Sequence, residues 1–178
     1  MSDLDHNTTP DCCAVNADEP TEPKAPTFER QKEAPAPKAC PQCGHKGRKV
    51  DTATVKALLA VSLRQVRDVA YLFCRNPVCE VVYFSEDGLQ TFSTAQVRER
   101  VYQKETLADD VFVCYCFRHT RGEIREELER SGTTTVIDDV NAGIKAGQCA
   151  CDWRNPQGSC CLGNVRALVQ ELKAALGS

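Results

Sequence analysis

The spacing of the cysteines constrains this chain more than any other feature. Twelve of the 178 residues are cysteines. Ten lie in short groups separated by spacers of 30 to 34 residues: Cys40-x-x-Cys43, Cys74-x4-Cys79, Cys114-x-Cys116 and Cys149-x-Cys151-x8-Cys160-Cys161. Thiolates grouped in this way are typical metal ligands. The acidic start of the chain does not look like a secretory signal peptide, so we expect a cytoplasmic protein in which disulfides are rare.

Charge and hydropathy argue against several classes of function. The net charge is −3, which does not favour binding to nucleic acid through its phosphates. The longest apolar run, residues 57–61, is far too short to span a membrane. No Ser/His/Asp grouping, phosphate-binding glycine loop or paired carboxylates stand out. We therefore expect a protein that is not an enzyme, binds no nucleic acid and does not insert into a membrane.

Composition divides the chain into three parts. Residues 1–39 hold six of the nine prolines, and eight acidic against four basic residues, which predicts a disordered acidic tail. Residues 40–107 form a predicted zinc-binding domain with a connection, and residues 108–178 form a second, helical domain. The predicted fold class is α+β: a small zinc-bound domain of helix and hairpin, followed by the helical domain.

The first domain is predicted to place two cysteine pairs on turns. A helix capped by Thr52 or Thr54 is followed by strands over residues 66–73 and 81–84, which flank the second pair, and a turn follows at residues 86–88. A further helix is expected near residues 94–101. In Cys-Pro-Gln-Cys-Gly, the glycine permits the tight turn of a zinc knuckle. Four thiolates close a tetrahedral structural site, so we predict zinc on the following residues: Cys40, Cys43, Cys74 and Cys79.

The second domain contains three predicted helices. Thr120-x-x-Glu123 is a capping box that opens the first, which ends at residues 131–132. The second starts at Thr134 or Thr135, and the third starts after Cys161. Since Cys116 and Cys161 each precede a helix, an anionic iron–sulfur cluster held there would meet two helix N-termini. A second zinc site is the alternative for these cysteines.

A family resemblance appears in the combined motifs. Val113-Cys114-Tyr115-Cys116, the two-helix spacer and the cysteine-led last helix resemble the [2Fe–2S] domain of bacterioferritin-associated ferredoxins (BFD). The late cysteines depart from the C-x-x-C of that family. Their spacing is more similar to that in the N-terminal region of CopZ-type copper chaperones. Two further motifs resemble the same region: Cys79-Glu-Val-Val-Tyr-Phe84 and Asn155-Pro-x-Gly-x-Cys-Cys161. This resemblance covers about residues 40–170.

The resemblance implies a ligand set and a function. The implied [2Fe–2S] ligands are Cys114, Cys116, Cys151 and Cys161, with Cys151 favoured over Cys149 and Cys161 over Cys160. CopZ-type chaperones continue into a heavy-metal-associated domain that delivers Cu(I) to a transport ATPase, and no such domain is evident before Ser178. The implied function is therefore single-electron transfer in copper handling, including reduction of Cu(II) to Cu(I), with a copper carrier or transport ATPase as partner.

Two alternatives and one further metal site remain open at this stage. One alternative is a BFD-like ferredoxin that serves as redox partner or regulator in iron metabolism, and the other is a zinc-only interaction module. The adjacent Cys12 and Cys13 form a candidate soft-metal site for an ion such as Cu(I). The opposing interpretation of this pair is two incidental exposed thiols.

Overall fold

The computed structural model describes residues 38–177. Almost all of the predicted acidic tail, including Cys12 and Cys13, lies outside these residues. The described part has a mixed α and β fold with a small antiparallel sheet. Its strands are β1 (Arg48–Val50), β2 (Tyr71–Phe73), β3 (Val81–Ser85), β4 (Thr91–Ser93), β5 (Phe112–Cys114) and β6 (His119–Thr120). Its α-helices are α1 (Thr52–Leu58), α2 (Arg121–Ser131), α3 (Val136–Lys145), α4 (Cys151–Arg154) and α5 (Leu162–Leu176).

The four-stranded sheet of the first half has the order β1-β2-β3-β4, and every neighbouring pair is antiparallel. All residues of β2 and β3 are buried, as expected for their aromatic and β-branched side chains. The strand predicted over residues 66–73 is shorter than expected. Its first part leaves the sheet because the Gln90 side chain binds the N–H of Arg67 (3.0 Å) and the carbonyl of Gln65 (2.7 Å).

Helix α1 forms as predicted, but its cap is a different residue. Asp51 caps it by accepting a hydrogen bond from the N–H of Ala53 at 2.7 Å. Thr54, one of the two predicted caps, is fully buried, and its hydroxyl donates to the carbonyl of Asp152 at 2.5 Å. The prediction of a helix near residues 94–101 is wrong, because only Thr94–Gln96 form a helical turn there, of the 3₁₀ type. The chain then forms a β-bridge between Val97 and Leu59.

The second half follows the predicted helical order. Thr120 and Glu123 form the predicted capping box of α2, and the helix ends at Gly132, whose φ is +70°. Helix α3 has Thr135 as its N-cap residue. Helix α5 has Cys161 in that position and packs against α2 and α3. The β5–β6 hairpin and the short helix α4 were not predicted; they carry Cys114 and Cys151.

Separate apolar cores stabilise the two halves. The sheet and α1 enclose a core that includes Tyr71, Phe73 and Tyr83, and a smaller cluster packs around the first cysteine pairs. The helices of the second half enclose another core, which includes Ile124 and Leu168. Within residues 38–177, no helix is long and apolar enough to cross a membrane.

Candidate metal centres

The four cysteines predicted to bind zinc meet in space. The sulfur atoms of Cys40, Cys43, Cys74 and Cys79 all lie within 4.8 Å of one another. The Cys40–Cys79 and Cys43–Cys74 sulfur distances are 4.0 and 3.6 Å. A zinc ion bonded tetrahedrally to four sulfurs at about 2.3 Å requires sulfur separations of about 3.8 Å. The residues present therefore fit zinc, and no ligand position is left open for a substrate.

Two tight turns place these sulfurs. In the first turn, the N–H of Gly44 donates to the carbonyl of Cys40 at 2.8 Å, and Gly44 has a φ of +71°. Glycine adopts this left-handed conformation at little cost, which is how Gly44 permits the predicted tight turn. In the second turn, the N–H of Cys79 donates to the carbonyl of Asn76 at 3.2 Å. The N–H of Cys74 is fixed by β3 through a bond of 2.9 Å to the carbonyl of Val82.

The hydrogen bonds in this site favour negative charge on one sulfur. Burial opposes ionisation of Cys43, but the backbone N–H of His45 and the side chains of Asn76 and Cys74 outweigh burial and lower the pKa of Cys43 to about 6. Burial raises the pKa of Cys74 to about 12. A bound cation would favour the ionised form of the cysteines and release their remaining protons.

His45 is not a member of this sulfur group. Its ring is exposed, and its Nδ1 atom lies 3.4 Å from the carbonyl oxygen of Cys43 and 3.2 Å from the side-chain nitrogen of Asn76. His45 therefore lies beside the site as a neighbour of the Cys43 carbonyl and the Asn76 side chain.

The cysteines of the predicted cluster also meet, in a different arrangement. The sulfurs of Cys116 and Cys151 lie 3.6 Å apart. The thiol of Cys161 contacts those of Cys114 and Cys151. Cys114 and Cys161 are fully buried, whereas Cys116 and Cys151 are half-buried. Among residues 38–177, only the first group gathers its sulfurs within the short span suited to a single ion.

Hydrogen bonds also polarise this second group. The hydrogen bond from Cys161 lowers the pKa of Cys151 to about 6 and that of Cys114 to about 7. Burial raises the pKa of Cys116 to about 11. The same hydrogen bonds to Cys114 and Cys151 raise the pKa of Cys161. In addition, the N–H of Ala150 donates to the sulfur of Cys116 at 3.3 Å, an interaction that stabilises a thiolate.

Two further cysteines border this group. Cys160 is exposed, and its thiol contacts that of Cys151. Cys149 is half-buried and lies close enough to Cys151 and Cys160 for their charges to raise the pKa of its thiol, after the larger effect of burial. Cys161 is buried whereas Cys160 is exposed, and it is the sulfur of Cys151 that lies 3.6 Å from that of Cys116. The choice of Cys151 over Cys149 and of Cys161 over Cys160 stays a prediction.

The helix termini near this group only partly match the prediction. Cys161 is the N-cap residue of the 15-residue helix α5, although its side chain accepts no capping hydrogen bond. Cys116 does not adjoin α2, because residues 117–120 complete the β5–β6 hairpin before that helix begins. The half-buried ring of His119, between them, pairs with Asp139 at 2.8 Å.

Sequence reasoning missed the polar residues that join the two halves. We call residues 155–159, between Cys151 and Cys160, the junction loop. Asn155 is fully buried, and its side chain donates to the carbonyl of Ser159 at 2.7 Å. Gln157 is also buried and donates to the carbonyls of Ser159 (3.2 Å) and Cys160 (3.1 Å). The Asn-Pro-x-Gly turn signal was visible, but the burial of its side chains was not.

The junction loop also contacts the first half directly. The hydroxyl of Tyr83 on β3 donates to the carbonyl of Pro156 at 2.7 Å, in a buried position. Gly158 has a φ of +63°, and a Cβ atom placed there would lie 2.7 Å from the Cγ2 atom of Val50. The loop that leads to Cys160 and Cys161 therefore rests on the sheet of the first half.

Comparisons with known proteins agree with this architecture. Residues 37–98 match a CopZ-type family model described as a zinc binding domain. The copper chaperone CopZ of Archaeoglobus fulgidus is 34% identical over 122 residues, which are 68% of this chain and 57% of that protein. The X-ray structure of the N-terminal domain of A. fulgidus CopZ superposes with a TM-score of 0.62 at 32% identity, and covers 73% of this chain and 96% of that domain. This chain belongs to the CopZ N-terminal domain family.

Membership of the CopZ N-terminal domain family accounts for the first site. The matched zinc-binding region contains all four cysteines of the first group. The chain spans little more than half the length of the A. fulgidus copper chaperone. The functions of that whole protein are therefore considered below as proposals.

Proposed function

We propose that this protein handles copper as a CopZ-like protein with two metal centres: zinc at the first cysteine group and a [2Fe–2S] cluster at the second. The observation that carries the proposal is the presence of two separate four-cysteine groups, one compact and one more extended. The compact group suits a single structural ion. The extended group suits a centre of two irons, because such a centre uses four thiolates spread over a larger cage.

The second group offers the surroundings that an iron–sulfur cluster requires. Cys114 and Cys161 provide buried sulfurs, and Cys116 and Cys151 provide sulfurs closer to solvent. The hydrogen bond from Ala150 to Cys116 and the N-terminus of α5 at Cys161 both favour negative charge. When bound, a cluster of this kind accepts and donates one electron at a time. A colourless second zinc site remains the alternative that the test must exclude.

In this proposal the residues of the chain position the cluster and protect it, and no catalytic group is needed. The junction loop holds Cys160 and Cys161, while the β5–β6 hairpin holds Cys114 and Cys116. The half-buried position of Cys116 and Cys151 leaves one side of the group near the surface. An electron acceptor such as Cu(II) would approach from that side.

The proposed partners follow from the copper chaperone relative. Cu(II) gains one electron to become Cu(I), which thiolates bind preferentially. A copper carrier or a copper-transporting ATPase would then receive the Cu(I). The proposed location is the cytoplasm, where free thiols and thiolate-bound metals persist.

Anaerobic purification tests the metal content. We expect a red-brown protein with one zinc and two irons per chain, which absorbs between roughly 400 and 600 nm and gives an EPR signal after one-electron reduction. Cys151→Ser and Cys161→Ser should lose most of the visible absorbance and iron. Their matched controls, Cys149→Ser and Cys160→Ser, should retain both. A colourless protein with two zinc ions per chain would refute the cluster.

Copper reduction tests the function. The reduced protein is mixed anaerobically with Cu(II) in the presence of a Cu(I)-specific chelator. Each cluster loses one electron, so one Cu(I) per chain should appear as the oxidised spectrum returns. If Cu(II) leaves the cluster reduced and a ferritin-type iron store oxidises it instead, the role in copper handling is wrong and the BFD-like alternative is supported.

A further inference from the structure

A short turn in the middle of the chain touches the loops of both cysteine groups. This 3₁₀ turn, Tyr102–Lys104, lies between β4 and β5. The ammonium group of Lys104 donates to the carbonyl of Asn76 at 2.7 Å. Asn76 lies in the Cys74–Cys79 loop, and its own side chain helps to lower the pKa of Cys43. Lys104 thus holds the loop that supplies two zinc ligands.

The neighbouring residue holds the second group. The side-chain nitrogen of Gln103 donates to the side-chain oxygen of Gln157 at 2.7 Å. The side-chain nitrogen of Gln157 donates to the carbonyl of Cys160, and Asn164 on α5 donates to the same Gln157 oxygen at 3.2 Å. Gln103 therefore restrains the junction loop next to the point where Cys160 and Cys161 follow it in the chain.

The first residue of the turn reaches the remaining cysteine pair. The backbone N–H of Tyr102 donates to the hydroxyl of Tyr115 at 2.9 Å in a buried position. That hydroxyl in turn donates to the carbonyl of Arg100 at 2.7 Å. Tyr115 stands between Cys114 and Cys116. Three consecutive residues thus bind one loop of the first group and both loops of the second.

We propose that Gln103 and Lys104 are positioning residues shared by the two cysteine groups, and that zinc at the first group stabilises the cysteine loops of the second. Zinc would further restrain the Cys74–Cys79 loop, because metal binding adds folding free energy to the segments that supply its ligands. Loss of zinc frees the Asn76 carbonyl, and Lys104 loses the partner that holds the turn. Gln103 then no longer restrains Gln157 and the Cys160–Cys161 segment. The proposal rests on zinc occupancy of the first group, but not on the identity of the metal at the second.

Hydrogen–deuterium exchange of the full chain tests this coupling. Amide exchange at residues 157–161 and 114–116 is compared between zinc-loaded protein and protein depleted with a strong chelator under anaerobic, reducing conditions. Couplings between sites typically change an equilibrium by a factor of about 5 to 150. We expect zinc to slow exchange in these segments by at least about fivefold. Unchanged exchange after verified zinc loss would overturn the proposal.

Variants assign the coupling to the turn. In the Gln103→Leu/Lys104→Met double variant, the effect of zinc on residues 157–161 should fall below about twofold. The matched control is Gln170→Leu/Lys173→Met, which alters the same residue types on the exposed face of α5 and should keep the full effect. A double variant that retains the full zinc effect would show that these two residues do not carry it.

Two further measurements keep the result interpretable. If the double variant does not fold, Lys104→Met is tested alone, since it keeps the aliphatic stem. It should weaken the effect of zinc on amide exchange at residues 157–161, and Lys104→Arg should restore that effect. An equal zinc effect in the two single variants would refute the role of Lys104. Iron and zinc are quantified in every sample. Zinc-dependent exchange in an iron-free, colourless protein would support the coupling and refute the cluster, so the two proposals fail separately.

Discussion

Replacing Gly158 tests whether the junction loop must lie directly against the sheet. The Gly158→Ala substitution adds one carbon atom at a residue whose φ is +63°. That carbon would lie 2.7 Å from the Cγ2 atom of Val50 and 3.3 Å from the hydroxyl of Thr54. Val50 lies in β1 and is buried, and Thr54 is held by its bond to Asp152. Neither neighbour can move without disturbing the contact between the two halves.

The expected loss of stability has two parts. A left-handed backbone costs a residue with a Cβ atom about 1–2 kcal/mol relative to glycine. Forcing an extra carbon into a filled space costs about 1–3 kcal/mol. The sum predicts that Gly158→Ala lowers the free energy of unfolding by about 2–5 kcal/mol. With an intermediate urea m-value of about 2 kcal/mol per molar, the midpoint should fall by about 1–2.5 M.

Gly132→Ala is the matched control for this experiment. Gly132 has a similar φ of +70°, but a Cβ atom there would have no neighbour within 4 Å. It should therefore cost only the backbone part, about 1–2 kcal/mol. Urea unfolding of both variants and the parent is followed by circular dichroism at saturating zinc. If Gly158→Ala costs no more than Gly132→Ala, the close contact between the junction loop and β1 is refuted.

Three other predictions address single contacts. Tyr83→Phe removes the donor to the buried carbonyl of Pro156 and should lower the free energy of unfolding by about 1–3 kcal/mol. The Tyr71 hydroxyl lies nearer the surface, so Tyr71→Phe should cost less in the same urea assay. Ser159→Ala removes a buried hydroxyl that has no hydrogen-bond partner within residues 38–177, so thermal unfolding should show unchanged or up to about 1 kcal/mol greater stability; a clear loss would contradict its unpaired state. Cys74→Ser should abolish binding of one zinc per chain in elemental analysis and raise amide exchange across residues 38–98; full zinc retention would exclude Cys74 as a ligand.

The cysteine groups were readable from the sequence because metal sites impose short, regular spacings. Two cysteines separated by two residues and followed by a glycine predict the tight turn of a knuckle, and Gly44 has a φ of +71° in that turn. The assignment of Cys151 and Cys161 over their neighbours came from family resemblance. Spacing alone does not separate Cys160 from Cys161, since adjacent residues share the same loop.

Long-range polar contacts explain the features that the sequence did not reveal. Thr54 is a candidate helix cap by sequence. In the structure it is buried, and its hydroxyl donates a hydrogen bond to the carbonyl of Asp152, 98 residues away in the chain. The segment before Tyr71 has strand-forming residues, but the Gln90 side chain holds its backbone outside the sheet. Gln103 and Gln157 are ordinary polar residues in the sequence, and only the fold brings them together. Local propensity carries no information about such pairs.

The junction loop has a consequence for how this protein can evolve. A first half exchanged for that of a relative would have to present a hydroxyl at position 54 and another at position 83, and a side chain at position 50 that leaves room for Gly158. A half that lacks these hydroxyls would leave the carbonyl of Asp152 in α4 and that of Pro156 in the junction loop without their donors. The two halves are therefore expected to be inherited and to vary together, and recombination between them is disfavoured even though each has its own core.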